Sequence, residues 1–501
     1  MKLKSPGKRT IRTLMVAGVA VASVGAMVLN QTQAFADPGF TYVAVGSDTV
    51  QDFENAWAAN LTPGLVASYN ATNPVNNNIH EPITPAKAGN STSNGGPSNA
   101  LPAEGCTFNR PNGSSDGITA LRASLSGTPS AGGTTSTAAP IAGYGSGSTA
   151  LPSNLPQQNC VDIARSSSTP GTFGASNTSV VDPSNGYLVY IPFAVDGVTV
   201  ATGSTASTAP TASTAGTSTV PDGCSNAAGT TTNACVATPA TNLPSGLSFS
   251  LTELQNLYAG GLHQADVNGN GCYYPFGTTT DKSVPSGCTP LDLYVPQAGS
   301  GTLKFWAQAL GFSATSLEPW IYQTIQADTG AINAGQTGTV SSFVGATVEE
   351  HDGTAVTVDP NGIFPFSIAQ YISQNAGHNP RFHQAVLQDV NNVAPETSTG
   401  ALNVASFPIQ LLREVYNVVA WDRVNNTGDG NFDPTLSQLL VSTSSSPSLL
   451  CRQKGLIASY GFALMTPTAP SPAGLGGEVG GHFCGQIDQT NLRTYGPSTG
   501  F

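Results

Sequence analysis

Three times along this chain an extended segment meets a helical pattern through a tight cluster of glycine and hydroxyl residues. That recurrence limits the fold more than any other feature. Tyr42-Val43-Ala44-Val45 leads into Gly46-Ser47-Asp48-Thr49, followed by Val50, Phe53 and Trp57 at helical spacing. Leu291-Asp292-Leu293-Tyr294-Val295 leads into Gly299-Ser300-Gly301-Thr302, followed by Leu303, Trp306 and Leu310. Gly113-Ser114-Ser115-Asp116-Gly117 opens a shorter helix marked by Ile118 and Leu121, and Thr252 is placed to cap a helix carrying Leu254, Leu257 and Tyr258. Strands alternating with helices predict an α/β fold. Trp57 and Trp306 fall on core faces.

The same clusters have a chemical meaning. The first turn of a helix leaves backbone N–H groups without partners, and the helix dipole places partial positive charge there. Glycine lets a ligand approach the backbone, and Ser and Thr hydroxyls supply donors that rotate to suit. Each cluster alone reads first as an ordinary N-cap. Several converging would make a neutral cage for an oxyanion.

Residues 1–36 are expected to be a secretion signal. Lys2, Lys4, Lys8, Arg9 and Arg12 precede the apolar stretch Leu14–Leu29, and Ala34-Phe35-Ala36 has the small-residue pattern of a cleavage site. That segment holds five of the 17 basic residues and none of the 29 acidic ones, which leaves 12 against 29, a net charge of −17. Such a balance argues against nucleic acid or anionic lipid as partner, since both need clustered Lys and Arg. An acidic chain that holds an anion must do so through local dipoles. The eight cysteines, an even count in an exported chain, predict disulfides. Chain order suggests the pairs Cys106–Cys160, Cys224–Cys235, Cys272–Cys288 and Cys451–Cys484.

Residues 123–158 and 201–246 are dominated by Ser, Thr, Ala, Gly and Pro and are expected to be surface inserts without a core of their own. Two apolar, proline-marked segments, Tyr190–Val198 and Ile363–Ile368, look like crossings between lobes, with an ordinary buried strand as the alternative for each. On the crossing reading, residues 37–192 and 366–501 form a discontinuous first lobe and 193–365 the second.

Taken in order, several of these segments resemble a known family. Gly-Ser-Asp-Thr-Val at 46–50, Gly-Ser-Ser-Asp-Gly-Ile at 113–118 and Asp-Ile-Ala-Arg-Ser-Ser at 162–167 come first. Pro-Phe-Ala-Val-Asp-Gly-Val at 192–198 and Gly-Ser-Gly-Thr at 299–302 follow. This order is similar to that of the phosphate-binding proteins of ABC importers, in the form found in secreted actinobacterial relatives. Thr252-Glu253-Leu254, Phe407-Pro408-Ile409 and the Ile457–Phe462 run are also similar to family segments. The resemblance implies a type II periplasmic-binding-protein fold, two α/β lobes around a ligand cleft. It implies a monomer that binds phosphate or a similar oxyanion without cofactor, metal or catalysis and delivers it to an ABC permease. It places the anion contacts on Ser47, Asp48, Thr49, Val50, Ser114, Ser166, Ser167, Ser300, Gly301 and Thr302.

Two positions depart from the family pattern. Family members carry an arginine shortly before the Gly-Ser-Gly-Thr turn, where this chain reads Tyr294-Val295-Pro296-Gln297-Ala298. They also carry an aspartate that accepts the proton of hydrogen phosphate, and Ser167 stands in its place. Arg165, beside the 166–167 turn, and Asp48, within the first turn, are the candidate substitutes. A surface or extracellular interaction protein that keeps the fold without its ligand is the alternative function. Gly113-x-Ser115-x-Gly117 matches a hydrolase nucleophile elbow but lacks the buried strand that elbow requires directly before it. Asp266-x-Asn268-x-Asn270-Gly271 opens like a calcium loop, yet Gly277 stands where the closing glutamate belongs. Glu349-Glu350-His351-Asp352-Gly353, the densest polar cluster in the chain, could face the cleft or hold a cation, but its composition favours a solvated turn.

Overall fold

The structure, a computed structural model, describes residues 41–72, 82–83, 108–126, 161–169, 188–204, 241, 243–244, 246–260, 264–265, 272–275, 287–326, 345–425, 432–443, 446–466, 470–475 and 480–494. The segment 1–36, most of both low-complexity stretches, the loop 266–271, and Cys106, Cys160, Cys224 and Cys235 lie outside these residues.

The chain folds as α/β, as the alternation of runs predicts. Among the described residues the strand Leu188–Thr202 organises the main sheet: fifteen residues long and buried throughout. Its first part pairs antiparallel with Leu412–Ala420, from Ala420 opposite Leu188 to Leu412 opposite Gly197. Its last part pairs antiparallel with Gly362–Ser367, from Ser367 opposite Val198 to Ile363 opposite Thr202. The two proline-marked segments are therefore neighbouring strands, and the long strand changes partner at Gly197/Val198. On one side of that handover the sheet continues through Ile163–Ser166 and Tyr42–Gly46 to Val66–Ser68. On the other it continues through Cys288–Tyr294 and Cys272–Pro275 to Gln264–Ala265. Two halves of one sheet thus share one strand.

Apolar periodicity explains how the helices dock. Val50, Phe53 and Trp57 are fully buried on the helix Asp48–Asn60, and Phe53 stacks on Phe193 of the long strand with ring centroids 5.1 Å apart. Trp306 is buried in the same way on the helix Gly301–Leu310, edge-on to Tyr258 at 5.7 Å. Burying side chains of this size contributes about 1.5–3 kcal/mol each. The helix Leu251–Gln255 starts two positions earlier than its sequence suggests. Ser250, not Thr252, is the cap, and Glu253 closes a capping box with it because the Ser-x-x-Glu spacing satisfies two orphan N–H groups at once. Disulfides join Cys272 to Cys288 and Cys451 to Cys484, two of the pairs chain order suggests.

The first half also buries charge. Glu54, on the inner face of the Asp48–Asn60 helix, accepts a 2.7 Å hydrogen bond from Asn417. Burial pushes its carboxyl up to about 7, outweighing the opposing effects of Asn417 and the Arg165 guanidinium. A folded-state value raised from 4.5 means stability that is complete below pH 4.5 and is lost as pH rises through about 7. Glu54→Gln is therefore expected to be more stable than the wild type at pH 8, by about 1–3 kcal/mol, with the difference gone below pH 4.5. Denaturation curves across that range test this; a difference that ignores pH would contradict it.

Candidate functional site

Three helix starts, at Asp48, Ser114 and Gly301, and the end of the strand Ile163–Ser166 meet at the boundary between the sheet halves. Gly46 ends its strand at φ 111°, and a Cβ there would lie 2.8 Å from the Arg165 carbonyl oxygen and 3.1 Å from the Gly117 Cα. Only a residue without a side chain lets the 46–49 turn lie this close to the 165–167 turn and the Ser114 helix. Ser47 sits at the N-cap position of the Asp48–Asn60 helix without capping it. Its hydroxyl donates instead to Ser167 Oγ at 3.1 Å. The Ser167 amide donates to Ser114 Oγ at 3.0 Å, and Ser114 Oγ and Ser167 Oγ are 3.3 Å apart. From the other half, Gly301 lies directly against the Ser114 and Ser167 hydroxyls, where any side chain would collide with both.

Thr49 joins this group to a second set of residues. Its Oγ1 lies 3.1 Å from Ser167 Oγ, 3.0 Å from Glu350 Oε1 and 2.8 Å from His351 Nε2. One hydroxyl proton serves one acceptor at a time, so the remaining contacts depend on donors reaching toward Thr49. Arg413 is such a donor: its Nη2 reaches Thr49 Oγ1 at 3.3 Å and Thr302 Oγ1 at 3.0 Å. Glu350 Oε1 accepts from the Thr302 amide at 3.1 Å and the Thr302 hydroxyl at 2.6 Å. A carboxylate oxygen therefore sits at the start of the Gly301–Leu310 helix, where dipole and hydroxyl both favour negative charge. Burial pushes the Glu350 carboxyl up, but His351, Thr302 and Arg413 together hold it down at about 2.

The cluster 349–353 is thus not the solvated turn its composition suggests. Glu350 and His351 are 1% and 0% exposed. One polar atom of each is matched inside the protein, Glu350 Oε1 by Thr302 and His351 Nε2 by Thr49, which lowers the cost of burying them. His351 takes a left-handed backbone, φ 59°, at a cost of order 1 kcal/mol for a non-glycine residue. The Gln374 side chain, donating to its carbonyl at 3.0 Å, helps hold it there.

Arg413 is anchored from behind by Asp196. Its Nε and Nη2 donate to Asp196 Oδ2 at 3.1 and 2.8 Å, and both side chains are fully buried. Asp196 Oδ1 accepts from the Ser367 hydroxyl at 2.9 Å and the Ala369 amide at 3.0 Å. The pair therefore fastens the handover point of the long strand to both of its partner strands. Arg413 Nη1, Glu350 Oε2 and His351 Nδ1 are buried without a hydrogen-bond partner among the described residues.

The candidate residues divide accordingly. Ser47, Thr49, Ser114, Ser167, Gly301 and Thr302 meet in one cluster. Ser300 caps its own helix, accepting from the Leu303 amide at 3.0 Å, and Val50 packs in the core. The Ser166 hydroxyl donates to the Ser168 carbonyl at 2.7 Å. Arg165 directs its guanidinium to Ser68 Oγ at 2.7 Å and to the carbonyls of Gly46 and Tyr69. Asp48 pairs with Arg381 at 3.0 Å. The positive charge and the carboxylate in the cluster are Arg413 and Glu350 instead. Across the boundary the Ser115 amide donates to the Gly299 carbonyl at 3.3 Å, and Gln297 Nε2 to Asn112 Oδ1 at 3.2 Å. Among the described residues no group of His, Cys, Asp and Glu is arranged to hold a metal ion, and no helix is long and apolar enough to cross a membrane.

The sequence matches no protein-family model and no curated protein. Its structure is similar to several solved ones. A Clostridium perfringens protein with bound phosphate, described as a phosphate ABC transporter substrate-binding protein, is 10% identical with a TM-score of 0.39, covering 85% of this chain and 99% of its own. PstS from Borrelia burgdorferi is 11% identical with a TM-score of 0.30, covering 85% and 99%. A human phosphate-binding apolipoprotein is 13% identical with a TM-score of 0.34, covering 84% and 90%.

Truncating Arg413 would leave the Asp196 carboxylate buried and unpaired, a loss of about 3–5 kcal/mol. Arg413→Met is expected to be destabilised by that amount, and adding Asp196→Asn is expected to restore part of it. A double-mutant cycle by chemical denaturation reads the coupling; additive effects would mean the pair does not act as a unit.

Proposed function

We propose that this chain is an exported, two-lobed solute-binding protein that captures a small oxyanion, phosphate by its resemblance to the importer family, at the cluster between the sheet halves. The observation that carries the reading is the convergence itself. Ser47, Thr49, Ser114 and Ser167 of one half are linked by hydrogen bonds, and Thr49 is joined to Thr302 of the other through Glu350 Oε1 and Arg413 Nη2. Tetrahedral oxyanions present several acceptors and no donor besides their own acidic protons, which suits such a set. Capture would work by closure. The first lobe, residues 37–192 and 366–501, brings the serine turns, and the second, 193–365, brings the Gly301 helix. An anion touching both favours the closed arrangement by its differential affinity for it. Delivery to an ABC permease would complete the transport role.

One observation favours a second reading, an extracellular interaction protein that keeps the fold without an anion. The donors of the Gly301 helix already serve the chain's own Glu350. Titration calorimetry with phosphate, arsenate, sulfate and molybdate separates the two. Oxyanion capture predicts heat with phosphate and at least tenfold weaker binding in Thr302→Val, which removes the hydroxyl and keeps the side-chain volume; a lost charged hydrogen bond accounts for about that factor. Silence toward all four anions up to millimolar concentration would exclude oxyanion capture as the native function.

A further inference from the structure

We propose that Glu350 is a built-in occupant of the oxyanion seat, an internal carboxylate that holds the two sheet halves together and that an incoming anion must displace. The inference rests on the oxyanion reading of the cluster and adds what regulates access to it.

The carboxylate makes the contacts an anion would make. One oxygen, Oε1, takes the amide and hydroxyl of Thr302 at the helix start and lies within hydrogen-bond distance of Thr49 in the opposite half. It therefore bridges the boundary as a bound oxyanion would. The neighbouring contact leaves no alternative seat between the same turns, because Gly301 packs directly on the Ser114 and Ser167 hydroxyls. A phosphate group approaching Thr302 meets a dehydrated negative charge at the same donors, so the two compete for one set of hydrogen bonds.

The surroundings fix the carboxylate in place. His351 Nε2 lies 3.3 Å from Glu350 Oε1 and 2.8 Å from Thr49 Oγ1. Its left-handed backbone, φ 59°, turns the chain so that adjacent residues 350 and 351 both face the boundary. The segment is tied to the second half by backbone hydrogen bonds, Gln297 N to the Val348 carbonyl and Val348 N to the Gln323 carbonyl, both 2.9 Å. The carboxylate thus belongs to the half that carries Thr302 and reaches across to Thr49. Arg413 supplies the remaining favourable charge: its Nη2 touches both threonines, and its Nη1 has no hydrogen-bond partner among the described residues. That spare donor is available to an anion once the carboxylate has left.

The test compares the wild type with Glu350→Ala and with Glu350→Gln, which keeps the shape if the alanine variant folds poorly. Phosphate calorimetry is paired with small-angle scattering in phosphate-free buffer. The expected result is a phosphate Kd at least tenfold lower in both variants, and a larger radius of gyration without phosphate that returns to the wild-type value on adding it. Unchanged or weaker phosphate binding in the variants would overturn the proposal, since Glu350 would then be a bystander or a ligand contact. A silent wild type with binding variants would keep Glu350 as the occupant of the seat and overturn its displacement by an incoming anion. If wild type and variants are all silent, the oxyanion reading falls, and scattering alone decides: an enlarged radius keeps Glu350 as the tie between the halves, an unchanged one removes it.

Discussion

The arrangement of this molecule depends on one buried ion pair, Asp196 with Arg413, at the point where the long strand passes from one sheet partner to the other. Two charges removed from water are costly unless each lone pair and proton finds a partner. Here Asp196 uses both oxygens, one on Ser367 and Ala369 and one on Arg413, so three chain segments meet on a single carboxylate. Arg413 then has a guanidinium edge left over, which reaches Thr49 and Thr302. The pair joins the two halves at this junction and, through Arg413, is also part of the cluster.

Around this pair the chain holds negative charge mainly with dipoles. A net charge of −12, from 17 basic and 29 acidic residues, gives no long-range attraction for anions. What favours an anion is local: the start of the Gly301 helix, hydroxyls from two turns, and one cation whose charge Asp196 largely offsets. Such a site gains selectivity from geometry more than from field strength, because donors fixed in position reward only acceptors that fit them. Glu350 fits on one oxygen, while its other oxygen has no hydrogen-bond partner among the described residues. A tetrahedral ion offers more acceptors to the same donors, which on the proposed reading is what would let it replace the carboxylate although the hydrogen bonds of Glu350 must break.

The local part of this arrangement is legible in the sequence and the long-range part is not. Glycine and hydroxyl residues at a strand–helix junction leave a signature within ten residues, and the turns at 47–49, 114 and 300–302 can be read from it. Even there a hydroxyl near a helix start reads the same whether it caps or faces outward. Ser300 caps and Ser47 does not, a difference set by Ser167, 120 residues away from Ser47. Arg413 lies in Leu412-Arg413-Glu414-Val415, where adjacent charges interrupt an otherwise apolar strand. That interruption is a usable sign of a buried pair, but it does not name the partner. Glu350 and His351 give the opposite impression, since four polar residues followed by a glycine resemble a turn facing water. They are buried because Thr49, Thr302 and Arg413 arrive from elsewhere to meet them, and composition cannot register partners that far away. Adjacency to motif residues singles out Arg165 and Asp48, whereas their side chains point to Ser68, the carbonyls of Gly46 and Tyr69, and Arg381.

A carboxylate that shares donors with a ligand changes what affinity means for such a protein. When the competent state is only a fraction of the population, apparent affinity falls by that fraction. An internal competitor sets the fraction through its effective concentration, which for a short tethered segment reaches millimolar or more. A ligand present below that level gains access only if its own contacts are better, and here they can be, through the extra acceptors and the spare Arg413 nitrogen. On the proposed reading, affinity would be tuned by the fit of residue 350 to the seat, while the serine turns stay as they are. Either the carboxylate or the anion would then serve the Thr302 donors, so these need not sit open to water. A bound anion would replace the tie between the halves, not create it.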